Sequence, residues 1–64
     1  MWISLQNGPV NFDLILRYYI EGKVLTLVTI NKDYVPFFYA SEEKVKRVKT
    51  FLDKTLNYIN DEEN

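Results

Sequence analysis

The chain contains no cysteine and no histidine among its 64 residues. The first absence excludes disulfides, and the two together exclude a Cys/His zinc site, so neither of the usual staples of a mini-domain is available. They also remove the commonest nucleophile and the commonest general base, leaving acid–base chemistry to carboxylates, lysine or tyrosine. Glycine and proline occur only twice each. A composition that poor in breakers is not that of a flexible linker, and each breaker should mark a particular turn. A marked excess of either charge is missing too. Eight Lys and Arg stand against nine Asp and Glu, for a net charge of −1, which favours neither nucleic acid nor a membrane surface. No apolar run approaches the ~18 residues of a membrane-spanning helix, and Met1-Trp2-Ile3-Ser4 lacks the basic start of a secretion leader. The expected setting is the cytoplasm.

What is present is apolar: 47% of the residues are hydrophobic and 16% aromatic. A chain of this length lies near the lower limit for folding alone, and without a covalent or metal staple oligomerisation is the remaining common device. Met1–Gln6 alternates, with Met1, Ile3 and Leu5 on one side and Trp2, Ser4 and Gln6 on the other, before Asn7-Gly8-Pro9 breaks it. Val10–Glu21 reads as one long strand, with Phe12, Leu14, Leu16, Tyr18 and Ile20 on its core face and Asp13, Ile15, Arg17, Tyr19 and Glu21 on a mixed second face. Glu21-Gly22-Lys23 turns the chain into Val24–Ile30, whose continuous β-branched run predicts a central strand buried on both sides. After a loop at Asn31-Lys32-Asp33 comes the aromatic strand Tyr34–Ala40. Its Pro36 cannot donate to a ladder and predicts a sheet edge or a bulge.

Ser41 suits a helix N-cap, followed by Glu42 and Glu43 in the first turn. Val45, Val48, Leu52, Leu56 and Ile59 then recur at helical spacing, flanked by Phe51, Thr55 and Tyr58, with Asn60 ending the helix. The expectation is a single α+β domain over residues 1–60, a three- or four-stranded antiparallel meander with one C-terminal helix packed on one face. Residues 61–64 form an acidic tail, expected to fray. Phe12, Leu14, Leu16, Val48, Leu52 and Leu56 make up the expected core.

No motif for catalysis stands out. The carboxylates fall in turns, in the first helical turn or in the tail, and Asp13, the one acid expected inside a strand, reads as a surface ion pair. Asp61-Glu62-Glu63 lacks the glycine turn and ligand spacing of a calcium loop. No enzyme, cofactor, metal or small-molecule substrate is expected. Lys44, Lys46, Arg47, Lys49 and Lys54 give the helix a basic outer side, an ordinary solvated face or a dock for an acidic partner.

The leading expectation is protein–protein association, as a homodimer through the open sheet face or an edge strand, with Trp2, Ile15, Arg17, Tyr19, Phe37 and Tyr39 as the exposed interface set. A second reading is single-stranded nucleic-acid binding, in which Arg17, Tyr19 and the aromatics at Trp2, Phe37, Phe38 and Tyr39 stack bases. The four-strand-plus-helix order resembles, in topology alone, the repeating unit of the Pur-alpha and whirly-like single-strand binders. A third is a small phage or mobile-element regulator of a host protein. The two face assignments of the last two strands are interchangeable from sequence, since both sets are apolar and one bulge would exchange them.

Overall fold

A computed structural model of the chain describes residues 1–56. Five antiparallel strands, β1 (Trp2–Leu5), β2 (Gly8–Asn11), β3 (Ile15–Glu21), β4 (Val24–Thr29) and β5 (Tyr34–Phe38), precede one helix, α1 (Glu42–Leu56). They form a two-stranded sheet, β1–β2, and a three-stranded sheet in the order β3–β4–β5. The α+β architecture with antiparallel strands and a C-terminal helix is the expected one. The helical stripe beyond Leu56, the stop at Asn60 and the acidic tail lie outside the described residues.

The strand division differs from expectation between residues 10 and 21. A short 3-10 helix, Phe12–Leu14, interrupts what reads as one strand. Asn11 sets it up: its Oδ1 accepts from the Asp13 N–H at 3.0 Å, the local bond by which Asn turns its own backbone. A second irregularity follows at once. Ile15 pairs with Thr29 but Arg17 pairs with Val28, so Leu16 is an extra residue on β3, a β-bulge.

Each irregularity shifts the phase of the alternation. Ile15 points inward before the bulge, and Tyr18 and Ile20 do so after it. Two expectations are therefore corrected together. Leu14 and Leu16, placed in the core by unbroken alternation, are each 51% exposed, while Ile15, placed on the interface, is buried. Phe12 is buried as expected, as is Leu52 on the helix, with Val48 and Leu56 packed against them.

β4 is the central strand, and side chains on both of its faces are buried: Leu25 and Leu27 toward the helix, Thr26 and Val28 between their neighbours on the other side. Its neighbours are fixed by tight turns. Gly22 takes φ +62 in the two-residue β3–β4 loop, where a hairpin turn needs a positive φ. In the β4–β5 loop Thr29 organises the backbone. Its Oγ1 accepts from the Asn31 and Asp33 N–H groups at 3.2 and 3.0 Å, and Lys32 takes φ +69. That loop sets Leu25 opposite Phe37. Phe37, expected on the interface, is consequently buried on the helix side.

Pro36 sits on an edge strand, as its missing donor required. The hydrogen bonds show why it costs nothing there. The Thr29 N–H donates to the Asp33 carbonyl and the Tyr39 N–H to the Lys23 carbonyl. Residues 33, 35, 37 and 39 thus bond to β4, and Tyr34, Pro36 and Phe38 turn their backbone groups to the free edge. A proline in that row removes no ladder bond and blunts the edge against strand addition.

Ser41 caps α1, its Oγ accepting from the Lys44 N–H at 3.2 Å. The helix lies over β3 and β4 and buries Val45 and Leu52 completely. Burial of two such side chains stabilises by about 1.5–3 kcal/mol each. A polar link adds direction: the Tyr18 hydroxyl donates to Asp53 Oδ1 at 2.6 Å, and Lys49 Nζ holds Oδ2 at 3.1 Å. The β1–β2 hairpin extends the same core through Ile3, with Leu5 and Val10 against it.

Candidate functional site

The side of β3–β4–β5 away from the helix is the candidate site. The strand register arranges it as three rows. Arg17, Val28 and Tyr34 form the first, Tyr19, Thr26 and Pro36 the second, and Glu21, Val24 and Phe38 the third. The middle column is sunk and the outer columns stand proud. Val28 and Thr26 are 2% and 9% exposed, whereas Tyr34 and Phe38 are 57% and 68% exposed. Because β-branched residues on the central strand lie between larger neighbours on both sides, the face is a shallow trough with an aromatic rim on β5.

Arg17 forms part of the opposite rim. Its guanidinium lies 5.3 Å from the centroid of the Tyr19 ring, a cation–π distance within one strand face. Stacked this way, the guanidinium is held beside the Tyr19 ring while the side chain stays exposed. Glu21 closes the rim at the far end of β3. Arg17 and Glu21 are the only charged residues of the three rows, and neither has an ion-pair partner among the described residues. The face is electrically neutral with its two charges at opposite ends.

At the end of the β3–β4 ladder the Ile30 N–H donates to the Leu14 carbonyl at 3.0 Å. Leu14, Ile30 and the bulged Leu16 are all about half exposed there. They add exposed apolar side chains at that end of the ladder.

Of the six residues expected at the interface, the fold brings only Arg17 and Tyr19 together on this face. Trp2 is well exposed, but on β1, in the other sheet. Ile15 and Phe37 are core. Tyr39 is packed against the core beside Phe37, and its hydroxyl is buried with no hydrogen-bond partner. Desolvation raises its pKa above the ordinary tyrosine value. Tyr34, Pro36 and Val24 were missed by the sequence reading, and Phe38 entered it only as a possible stacking ring. The signal that finds them is the loop length after Thr29, which sets the pairing of β5 and with it the face of every residue on that strand.

The remaining chemistry is sparse. Asp13 lies in the 3-10 helix, mostly exposed, 2.8 Å from the Met1 ammonium. The lysines of α1 are solvated apart from Lys49, which Asp53 holds. Among the described residues no group of three or more acidic side chains is placed to hold a metal ion, and no helix is long and apolar enough to cross a membrane. Comparison with protein-family models, with curated proteins and with solved structures found no match to this chain.

Proposed function

We propose that this chain is a small non-enzymatic association module, expected in the cytoplasm, which self-associates through the uncovered face of β3–β4–β5. The observation that carries the reading is the exposure of Phe38 and Tyr34 beside a dry central strand. Large rings left in water on an otherwise well-packed domain gain stability by being covered, and aromatic anchors dominate the energetics of protein interfaces. The edge of β5 is a poorer route, because Pro36 interrupts its outward backbone groups. The outer edge of β1 is a short one, since only Trp2 and Ser4 turn their backbone groups away from β2.

Sedimentation velocity over a dilution series tests this. The expected outcome is a concentration-dependent shift from monomer to dimer in the micromolar range, abolished by Phe38→Ala with the thermal unfolding midpoint kept. A monomer at every concentration would remove the reading.

Base stacking is a second reading, favoured by one observation, the Arg17–Tyr19 stack on an open sheet. The neutral face weighs against it, since neutralising phosphates takes a basic surface. Titration of a labelled single-stranded oligonucleotide at low salt decides it. Binding weakened by Arg17→Ala supports stacking, and absence of binding eliminates it.

A further inference from the structure

The two charges of the open face determine how two copies would meet on it. This inference rests on the self-association reading and adds to it a specific twofold geometry. Two sheets packed face to face by a twofold axis leave two simple choices for that axis, both in the plane of the interface. An axis running along the strands lays β3 of one protomer over β5 of the other. Arg17 then faces the partner's Tyr34 and Glu21 faces the partner's Phe38, which buries both charges without partners. Uncompensated burial of an ion is among the largest penalties an interface can carry.

An axis running across the strands does the reverse. It keeps each strand over its own copy and inverts the order of rows. Placed at the middle row, it sets Tyr19, Thr26 and Pro36 each against its own equivalent. Arg17 then meets the partner's Glu21, and Tyr34 meets the partner's Phe38. Four residues of strand separate Arg17 from Glu21, about 14 Å, so each lies about 7 Å from the axis and the two ion pairs form together. The rim rings cover one another along β5, and beside them the buried Val28 meets the partner's half-buried Val24 across the same axis. Charge and shape select one arrangement.

We propose that the occupant of the open face is a second copy of this chain, related by a twofold axis across the strands at the level of Tyr19, Thr26 and Pro36, with reciprocal Arg17–Glu21 pairs. Three strands at about 4.8 Å by three rows at about 6.8 Å give a patch of about 14 by 20 Å, about 300 Å² on each protomer and about 600 Å² in all, below the span of stable interfaces and in the range of weak, transient contacts. The dimer should therefore be weak and reversible. The stack of Arg17 on Tyr19 already orders the guanidinium on the face, so less freedom is lost when the pair forms.

A charge-swap cycle followed by sedimentation equilibrium tests the geometry. Arg17→Glu and Glu21→Arg each place like charges across the axis and should weaken association by about tenfold or more. Combining the two restores opposite charges in exchanged positions and should return the constant to within about threefold of the unsubstituted chain. Glu21→Arg leaves the Arg17–Tyr19 stack in place, so a loss seen there cannot come from disturbing that stack. If the double variant is as weak as the singles, or if neither single variant weakens association, the twofold is wrong. In that case a dimer still broken by Phe38→Ala leaves the open-face reading standing. An unsubstituted chain that stays monomeric removes both.

Discussion

The two faces of the β3–β4–β5 sheet are built from the same kinds of residue and have opposite fates. On the helix side, Leu25, Leu27 and Phe37 meet Val45 and Leu52 and are lost to solvent. On the other side, Val24 and Val28 are flanked by Tyr34, Phe38 and Tyr19, and the rings of Tyr34 and Phe38 stay more than half exposed. One helix covers β3 and β4. Hydrophobicity therefore does not separate the faces; the cover does. What distinguishes the open face in composition is its pair of terminal charges and its outward-turned Pro36, both of which suit a surface that is covered intermittently.

The largest expected effect lies on the helix side. Leu25→Ala or Leu52→Ala should destabilise the fold by about 2–5 kcal/mol, read as a drop in the urea midpoint, because each leaves a cavity where the chain is fully buried. Phe38→Ala on the open face should change the same midpoint by less than about 0.5 kcal/mol while weakening association. If the two substitutions cost the same, the distinction between core and contact face fails.

Removing the polar link between sheet and helix comes next. Asp53→Ala removes the bonds from the Tyr18 hydroxyl and Lys49 to this carboxylate and should cost about 1–2 kcal/mol. The effect should shrink to the part carried by Lys49 in a Tyr18→Phe background, which a double-mutant cycle measures.

Tyr39→Phe should act in the opposite direction. Its hydroxyl is buried without a partner, and deleting it removes a desolvation penalty, so stability should rise by up to about 1 kcal/mol. The pH dependence carries the same sign. The folded-state pKa of Tyr39 is raised, so its contribution is intact below the ordinary tyrosine value of about 10 and is lost as pH climbs through the folded value. Tyr39→Phe should flatten that alkaline limb, and an unchanged limb would show that another group causes it.

The smallest effect belongs to the β4–β5 loop. Lys32 holds a positive φ that glycine adopts at no steric cost. Lys32→Gly should therefore be neutral or stabilising by up to about 1 kcal/mol in thermal unfolding, where glycine elsewhere in a sheet destabilises.

How much of this was legible follows from where the sequence penalises error. The central strand at Val24–Thr29, the turn at Gly22, the edge position of Pro36 and the cap at Ser41 all stood out, because each uses a residue that is costly anywhere else. The open face did not. Between Phe12 and Tyr19 the even positions are all apolar or aromatic and the odd ones mix Asp13 and Arg17 with Ile15 and Tyr19; because both charges stay exposed across the 3-10 helix and the bulge at Leu16, no polar residue is stranded that would reveal the shift. Asn11 followed by Asp13 was the one local cue. On β5, Phe37 and Phe38 are adjacent and chemically alike. Only the loop geometry set by Thr29, a matter of backbone hydrogen bonds, decides which ring is core and which faces solvent.

We propose that the Tyr34–Phe38 side of the sheet is the surface on which the chain meets its own copy. Amide and methyl NMR spectra recorded across a dilution from the dimer range to the monomer range test it most directly. Self-association through this face should shift the signals of Tyr19, Val24, Val28, Tyr34 and Phe38 and leave Leu25, Val45 and Phe51 unmoved. Spectra that do not change on dilution, or changes centred on the outer side of α1 around Phe51, would contradict it.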